Sequence, residues 1–597
     1  MSHSQGRSRR TKTNRVRRVM LSVAVCVGLI ILFAVAWVSA RTLMAKAELE
    51  DAIPLARVIQ QQVSSGDAEA ASTTANELNE HAQQAASLTS DPIWLAFEVL
   101  PAIGPNLVAV RQLAETVKDV ASDAVIPLTN AAGAIDIASF KPVDGAIDFE
   151  AMLQAQPSVA RAHSALMTAQ GDLDEIDASQ TLTQVSSAVD QLRSVVSEVA
   201  DGVGSINRAL LIAPAMLGSE GPRSYLVLFQ NPAELRSTGG ISGAVALLRT
   251  EAGQMSLASQ VSSTDYTRYD APVLDLPMDT RGIYGDITGR FIQDVNLTPN
   301  FVQSAELAQE MWRLQFGQTV DGVLSIDPVA LSYLLRATGP ITLPTGDVLS
   351  ADNAVQLLLT DVYVAYPDAD EQDAFFAAAA ASVFSAIAGG SADSIDLIGA
   401  LSQAGAEHRV LVWSANDVEQ DVLADTTLAG GLPSSDAETQ RFGIYFNDAT
   451  GGKMGPYLDV QTAVGQVSCR ADERPNFVVD VTLTNAAPAD ASTSLPSYVT
   501  AGGKYGVAAG NIKTSVSVYG STTMENLGVT RDGADVGYHP AVDAGYPVSG
   551  VTIELSPGQT TTIRFSWLGS TMFSGNIETQ MTPVIHRNET NKLDLAC

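Results

Sequence analysis

The hydrophobic pattern begins with one long apolar run. Residues 19–40, VMLSVAVCVGLIILFAVAWVSA, contain no charged side chain. As a helix rising about 1.5 Å per residue, this run can cross about 30 Å of hydrocarbon. Residues 1–18 before it carry seven Lys and Arg and no acid. The positive-inside rule therefore predicts a cytoplasmic tail at 1–18, a transmembrane helix at 19–40 and an extracytoplasmic body.

A cleaved signal peptide is the alternative interpretation of this segment. Val38-Ser39-Ala40 has the small residues of a cleavage site. The apolar run is longer than the core of about 7 to 15 residues that is typical of signal peptides. We therefore favour a retained single-pass anchor in the cell membrane.

Helical periodicity dominates residues 41–215. Segments such as VSSAVDQLRSVVSEV place apolar residues three and four positions apart, as on one face of an α-helix. Prolines at 92, 101, 105, 127, 142 and 157 divide the region into several helices. The pattern predicts an extracytoplasmic helical region, a bundle or stalk, whose apolar stripes form helix–helix contacts.

Strand and helix patterns alternate over residues 220–450. SYLVLFQN at 224–231 predicts a buried strand, and the turn residues at 251–253 predict a hairpin. The strand at 322–327 leads into a helix that Asp327 can cap and that begins with Pro328. The alanine-rich stretch DAFFAAAAASVFSAI predicts a further helix by propensity. This alternation predicts a central α/β domain with a sheet.

Helical patterns nearly disappear after residue 455. The segments FVVDVTLTNAAP, KTSVSVYG, VTIELSPGQTTTIRFSW and MTPVIHR are β-like and are separated by turn residues. They predict a C-terminal β-sandwich at 455–597. The predicted fold class is therefore α+β multidomain, with a transmembrane helix, a helical stalk, a central mixed α/β domain and a β-sandwich.

The charge balance narrows the range of partners. All but seven of the 35 Lys and Arg lie beyond residue 18, where they are outnumbered by 66 Asp and Glu. So acidic a body would repel the phosphates of a nucleic acid. We therefore expect no nucleic-acid partner, whereas the membrane is a partner through one span.

Three cysteines are present, and Cys26 lies within the apolar run. Cys469 and Cys597 fall in the part predicted to be extracytoplasmic, where disulfides persist. We predict that these two cysteines pair; two free buried thiols are the alternative. The sequence has no Cys or His spacing that would indicate a zinc site.

The candidate chemistry comes from Arg, acidic and Asn residues between 230 and 300, because the chain lacks a nucleophile elbow, a phosphate-binding loop and an HExxH motif. Arg can hold a phosphate with two hydrogen bonds, and backbone N–H groups near paired glycines add donors. No catalytic residue is assigned. The phosphate-binding candidates are Arg236, Gly239, Gly240, Arg281 and Arg290.

Asp294 and Asn296 are the metal candidates, because carboxylate and amide oxygens suit a hard cation such as Mg²⁺. Together with the arginines they are the parts of a pyrophosphate–Mg²⁺ site. Structural roles are the alternative. Arg236 can form a salt bridge to Glu234 or a turn contact, and Asp294 and Asn296 can organise a loop.

Four segments carry a family resemblance. They are NPAELRSTGGISGAVALL, FIQDVNLTPNFVQSAELAQEMW, TVDGVLSIDPVALSYLLRATGPITL and HRVLVWSANDVEQDVL. In this order they resemble the blocks of a bacterial envelope family, domain-of-unknown-function family 4012. The resemblance implies a location in the cell envelope and supplies no activity.

The same order of elements is more distantly similar to the LytR-CpsA-Psr family. That similarity implies a phosphotransferase-like enzyme that transfers glycopolymers from a polyprenyl pyrophosphate carrier to the cell wall, using Arg, Asp and Mg²⁺. The Ser-Ile-Pro-Arg-Asp segment of that family has only a loose counterpart here, LPMDTRG at 276–282.

Two hypotheses about function follow. In the first, the central domain handles a lipid-linked glycopolymer. In the second, the protein is a non-catalytic cell-wall scaffold or a glycan- or protein-binding protein. A transporter accessory or a sensor is a further alternative. Convergence of the candidate side chains on one pocket would favour the first hypothesis.

Overall fold

The computed structural model describes residues 8–101, 103–134, 142, 145–467 and 470–595. The chain divides into two compact units. One comprises Met1–Ser139 and Phe149–Leu211, and the other comprises Phe140–Asp148 and Ile212–Cys597. Cys469 and Cys597 lie outside the described residues, so their predicted pairing stays a prediction.

The first unit is helical, as the periodicity predicts. A π-helical turn at Ala121–Val125 joins its fourth and fifth helices, and the last residues of the seventh helix belong to the second unit. The helices are α1 Ser8–Ser64, α2 Ala68–Thr89, α3 Pro92–Glu98, α4 Gly104–Val120, α5 Ile126–Ala134, α6 Phe149–Asp174 and α7 Thr183–Met216.

Helix α1 contains the candidate membrane span. Among the described residues it is the one helix that is long and apolar enough to cross a membrane, and its candidate stretch begins at Met20. A signal sequence meets the same criterion of length and composition. Past the apolar run, α1 packs on α2 through small and branched side chains that include Ala52, Ile59, Ala75 and Leu78.

The second unit holds the described strands and nine more helices. The helices are α8 Met278–Tyr284, α9 Phe301–Phe316, α10 Pro328–Thr338, α11 Ala354–Gln356, α12 Val362–Ala365, α13 Ala369–Ala388, α14 Ser394–Ala406, α15 Asp417–Ala424 and α16 Ala491–Ser494. The side chain of Asp327 accepts a hydrogen bond from the Ala330 backbone N–H, so it caps α10 as predicted.

Eighteen strands are described. The first nine are β1 Arg223–Arg236, β2 Gly239–Glu251, β3 Gln254–Ser262, β4 Gly322–Ile326, β5 Ile341–Thr342, β6 Val348–Leu349, β7 Val410–Ser414, β8 Thr439–Asp448 and β9 Leu458–Val467. The others are β10 Asn476–Asn485, β11 Ile512–Tyr519, β12 Glu525–Arg531, β13 Ala534–Asp535, β14 His539–Asp543, β15 Tyr546–Leu555, β16 Thr560–Leu568, β17 Asn576–Met581 and β18 Asn591–Lys592.

The central sheet has the strand order β3-β2-β1-β4-β7. Strand β1 pairs antiparallel with β2 and parallel with β4, so the sheet is mixed. The turn predicted at 251–253 separates β2 from β3, with positive φ at Ala252 and Gly253. The central sheet is therefore built from strands that the sequence pattern located.

One face of this sheet is closed by a dense core. Leu226 and Leu228 of β1 belong to a buried cluster with Phe301 and Trp312 of α9. Since successive side chains of a strand point to opposite faces, Val227 and Phe229 face the other way. They line a cavity, described below.

Two more sheets contain the C-terminal strands, in the orders β13-β12-β16-β10-β9-β18 and β14-β15-β11-β8-β17. Both are mixed, because β17 pairs parallel with β8 and β18 pairs parallel with β9. Phe442 of the second sheet lies 5.8 Å from Phe477 of the first, ring centre to ring centre. The predicted β-sandwich architecture stays a prediction.

Two details differ from the sequence pattern in this region. Strand β8 precedes the predicted start of the sandwich at 455, yet it pairs with β11 and β17. The predicted strand MTPVIHR is wrong beyond its first residue, because β17 ends at Met581. Pro583 has no N–H with which to continue a ladder.

Candidate functional site

The motif RSTGG forms a tight hairpin between β1 and β2. Arg236 pairs with Gly239, which leaves residues 237–238 as a two-residue turn. Gly239 has a φ of 140°. A Cβ atom on Gly240 would lie 2.1 Å from the carbonyl carbon of Asn231. Both glycines are therefore required by the backbone of the hairpin.

This hairpin tip, residues 237–238, is buried and fixed by side chains from distant segments. The Ser237 N–H donates to Asn447 Oδ1 at 3.0 Å, and Thr582 Oγ1 donates to the Ser237 carbonyl at 2.9 Å. Asn296 Nδ2 donates to Thr238 Oγ1 at 3.1 Å. The tip is thereby attached to β8 and to the segment after β17.

Arg236 is 7% exposed and is neutralised by two carboxylates. Its Nη2 lies 3.0 Å from Asp294 Oδ1 and 3.3 Å from Glu234 Oε1, and its Nε is 3.3 Å from the same Asp294 oxygen. Its Nη1 donates to the Leu235 carbonyl at 3.0 Å. All three nitrogens of the guanidinium therefore have partners within the chain.

Lys453 completes this arrangement from the loop after β8. Its Nζ lies 3.1 Å from Glu234 Oε2, and it is 5.8 Å and 5.7 Å from the ring centres of Tyr363 and Tyr498. Asn231 Nδ2 donates to the Tyr363 hydroxyl. We call Glu234, Arg236, Asp294 and Lys453 the charge cluster.

Burial and the neighbouring charges shift the pKa values of carboxyl groups in and beside the charge cluster. Burial opposes ionisation of Glu234, yet Lys453 and Arg236 hold its pKa below the usual value. Burial raises the pKa of Asp294 against the opposing effect of Arg236. Burial, reinforced by the charge of Glu234, raises the pKa of nearby Asp448 to about 6.

The structure brings together some of the predicted residues and not others. Arg236 and Asp294 form an ion pair, as above. Arg281 is exposed and pairs with Asp286 at 2.6 Å. Arg290 Nε donates to the Tyr269 carbonyl at 2.8 Å. Within the described part of the chain, neither has a hydrogen bond or ion pair to the charge cluster.

Both metal candidates have hydrogen-bond partners within the chain, and their predicted metal role stays a prediction. The Oδ1 atom of Asp294 already accepts from Arg236. Asn296 donates to the Gly240 carbonyl at 2.8 Å, which makes it a loop organiser, and its Oδ1 has no partner among the described residues. The described residues contain no group of three or more His, Cys, Asp or Glu that could hold a metal.

A cavity of about 440 Å³ lies on the open face of the central sheet. Val227 and Phe229 of β1 and Gly243 of β2 line it from the sheet. From the opposite side it is lined by α13, including Phe376 and Ala380. Most of its wall is therefore apolar.

The composition of α13 explains the open space. The helix carries the run FFAAAAASVF, in which five alanines are flanked by aromatic residues. Ala380 faces the cavity and does not reach across to the sheet, whereas Phe376 and Phe384 bound the space. The sequence predicted this helix but not the cavity. The run of alanines on α13 was the feature that could have indicated it.

The cavity has a polar end next to the charge cluster, and other polar residues, among them Gln260, Ser262 and Gln293, also line it. Asn231, Glu234, Tyr363, Lys453 and Tyr498 line the polar end. Among the described residues that line the cavity, Lys453 is the one Lys or Arg, and its charge is matched by Glu234. This end can offer hydrogen bonds to a polar group without carrying a large net charge.

The fold and site define a class: a mixed α/β domain with an apolar cavity, in a chain with a candidate N-terminal membrane helix. Residues 220–363 match a family model described as Protein of unknown function (DUF4012). The match supports the first resemblance and an envelope-type protein; the relation to LytR-CpsA-Psr proteins is not shown. No curated protein and no solved structure matches the chain.

Proposed function

We propose that this is a single-pass membrane protein of the cell envelope whose central domain binds the apolar chain of a lipid. The cavity carries this proposal. Its 440 Å³ fall within the range of about 300–1,000 Å³ that is usual for small-molecule sites. An acyl or isoprenoid chain enclosed by such walls is stabilised by removal of its surface from water.

In this proposal α1 is retained as an anchor. Val38 is buried and packs with Trp94 and Leu107 of the helical unit. Arg41 Nη1 donates to the Ser87 carbonyl at 3.0 Å and lies 3.3 Å from Asp91 Oδ2. Cleavage after Ala40 would remove Val38 from this contact. The tail at 1–18 is then cytoplasmic, and the chain from residue 41 onward is extracytoplasmic.

The polar end of the cavity is suited to the head of the bound lipid. Asn231, Tyr363 and Tyr498 provide amide and hydroxyl groups, and Lys453 provides one cation that Glu234 balances. Such a set favours binding over the transfer of a pyrophosphate-linked group, for which a surplus of positive charge is needed. We therefore place the non-catalytic hypothesis first, with the C-terminal strands as the predicted β-sandwich scaffold.

A narrower proposal concerns the identity of the lipid. A polyprenyl pyrophosphate carrying a glycopolymer is the ligand that the LytR-CpsA-Psr similarity implies. Its isoprenoid chain suits the apolar wall, and Lys453 is the residue that would meet its phosphate. Glycopolymer transfer remains the second candidate function on the basis of this one cation.

The test uses the full-length protein in lipid nanodiscs that contain a phospholipid with a photoreactive group near the end of its acyl chain. We expect cross-links in peptides from β1, β2 and α13. Ala380→Phe, which places a ring in the cavity, should abolish them. Ala381→Phe is the matched control, because Ala381 is exposed and does not line the cavity. Labelling confined to α1 in the wild type would overturn the cavity proposal.

Competition separates the two lipid classes. A short polyprenyl pyrophosphate is added to the nanodiscs with and without Mg²⁺, and the remaining cross-link to α13 is measured. Displacement at concentrations at least tenfold below those of a matched single-chain phospholipid would support the narrower proposal. Equal displacement by both would leave a general lipid-binding protein.

A further inference from the structure

The corner between α3 and α4, described at residues 92–101 and 103–104, exposes a group of large apolar side chains. Its sequence is PIWLAFEVLPAIG. Leu95, Val99, Leu100 and Ile103 are 39% to 81% exposed. A group of exposed large apolar side chains at one corner of a folded unit is typical of a surface that contacts a membrane or a partner.

This corner lies beside Val38, near the C-terminal end of the apolar run 19–40 of α1. Trp94 of α3 is fully buried and packs with Val38 of α1 and Leu107 of α4. Its indole N–H donates to the Leu107 carbonyl at 3.2 Å. The contact with Val38 fixes the corner at the level of the last residues of the run 19–40.

Neighbouring residues have the chemistry of a membrane–water boundary. The Arg41 guanidinium lies 5.0 Å from the centre of the Trp37 ring, and Arg41 also donates to the Leu88 carbonyl at the end of α2. Trp and Arg side chains are typical of the level at which a membrane helix leaves the hydrocarbon. On the N-terminal side of Trp37, large apolar residues such as Leu32 and Phe33 are exposed.

Electrostatics do not oppose burial of this corner in lipid. Glu98 is the single charged residue in 92–104. Arg111 of α4 pairs with it at 2.7 Å, and a second nitrogen of that arginine lies 3.3 Å from its other carboxylate oxygen. A neutralised carboxylate at the interface costs far less than an unpaired one would.

We propose that the α3–α4 corner inserts Leu95, Val99, Leu100 and Ile103 into the interfacial layer of the same bilayer that α1 spans. The helical unit then touches the membrane at two places, the anchor and the corner, which restricts its tilt about α1. Because the corner is apolar and its charge is paired, the contact depends on acyl-chain access rather than on anionic lipid. The proposal rests on α1 being a membrane anchor.

The test is depth-dependent quenching with the full-length protein in nanodiscs of phosphatidylcholine brominated on the upper acyl chain. An environment-sensitive fluorescent amino acid is incorporated singly at position 99, at position 33 within α1, or at position 69. Glu69 is exposed at the start of α2, the end of that helix opposite to Arg41 and Leu88. We expect at least twofold quenching at 33 and 99 and none at 69.

The three positions separate the possible failures. Quenching at 33 without quenching at 99 would overturn the corner contact and leave the anchor intact. Absence of quenching at 33 would overturn the anchor itself and with it the proposed membrane location. A blue-shifted but unquenched label at 99 would indicate a protein partner or a second copy on the corner, and would likewise overturn the proposal.

A pair of polar substitutions provides a second measurement on the labelled protein. Leu95→Asn together with Ile103→Asn should reduce the quenching at 99 by at least half and leave the quenching at 33 unchanged. Leu153→Asn is the control, because Leu153 is a comparably exposed apolar residue of α6 in the same unit. Equal quenching at 99 in all three proteins would contradict insertion through the corner.

Discussion

The two faces of the central sheet receive similar side chains from β1 but are covered in different ways. Leu226 and Leu228 meet α9, whose aromatic residues fill the space and leave a closed core. Val227 and Phe229 face α13 across the cavity. The covering helix, not the strand, therefore determines whether a face becomes a closed core or borders a cavity.

This difference has a simple physical basis. Protein interiors are packed as densely as organic crystals, so a face that is not filled loses dispersion contacts along its lining. The alanines of α13 are too small to make these dispersion contacts with the sheet. In the proposed function a bound lipid chain would make them instead. The closed face keeps these contacts, which contribute to stability.

The largest predicted effect is the loss of stability in Phe301→Ala, which is compared with the smaller loss in Phe376→Ala. Phe301 of α9 is fully buried in the closed face, whereas Phe376 of α13 borders the cavity. We expect Phe301→Ala to lower the free energy of unfolding by about 3–5 kcal/mol and Phe376→Ala by roughly half as much, since less packing is lost beside an existing space. Urea unfolding of both proteins in the same detergent measures the difference. Equal losses would show that the two faces are packed alike.

The sequence was sufficient for the elements that produce this contrast. Period-two and apolar patterns located β1 and β4, and helix propensity located α13, because these features depend on neighbouring residues. The cavity could not be predicted, because it requires α13 to lie opposite Val227 and Phe229. The position of α13 relative to the sheet depends on tertiary structure, which a local sequence pattern does not encode. The alanine run nevertheless identifies α13 as the helix whose side chains are too small to fill the space.

The charge cluster shows a second limit of sequence analysis. An Arg beside paired glycines suggested an anion site, and a salt bridge to Glu234 was the alternative. The structure adds Asp294, 58 residues away, and links Glu234 to Lys453, 219 residues away. Such distant partners leave no local pattern, so the sequence identified Arg236 and Asp294 as candidates but could not predict that they contact each other.

Removal of Arg236 is the next largest prediction. Arg236→Ala leaves Asp294 without its cation in a buried site, and we expect a loss of about 3 kcal/mol or more in the free energy of unfolding. Arg281→Ala is the control. Its exposed pair with Asp286 should contribute less than about 1 kcal/mol.

Measurement of lipid cross-linking in the same proteins separates structure from binding. If Arg236 holds the fold and does not contact the ligand, the folded fraction of Arg236→Ala should label α13 as the wild type does. A stable Arg236→Ala protein that no longer labels would contradict the structural role and favour the anion-binding hypothesis.

Asp448 tests how much further negative charge is tolerated beside Glu234 and Arg236 of the charge cluster. Its pKa of about 6 lies above the ordinary value of 3.8, so the folded state holds a proton that the unfolded state releases as pH rises from about 4 to 6. Stability from this group is therefore greatest at low pH and falls through that window. Asp448→Asn should remove the fall.

The expected gain of Asp448→Asn over the wild type is near zero at pH 3.5 and rises to about 1–3 kcal/mol above pH 6.5. The asparagine oxygen can still accept the Gly451 N–H that Asp448 accepts at 2.7 Å. Urea unfolding of both proteins across this pH range is the measurement. Parallel curves would show that the carboxylate does not titrate in the window.

The smallest effect on stability is expected where a side chain fills the cavity from the sheet. Gly243 of β2 lines the cavity, and a Cβ added to it would meet no atom within 4 Å. Gly243→Leu should therefore change the free energy of unfolding by about 1 kcal/mol or less, as a gain if the added methyl groups pack on α13. The same substitution should abolish the rise in Tm that we expect lipid to produce in the wild type, because the leucine occupies the ligand's volume. Gly243→Ala, which fills little of the space, should keep most of that rise. If the leucine protein still responds fully to lipid, the ligand lies elsewhere and the open face is a packing defect, which would remove the functional meaning of the contrast between the two faces.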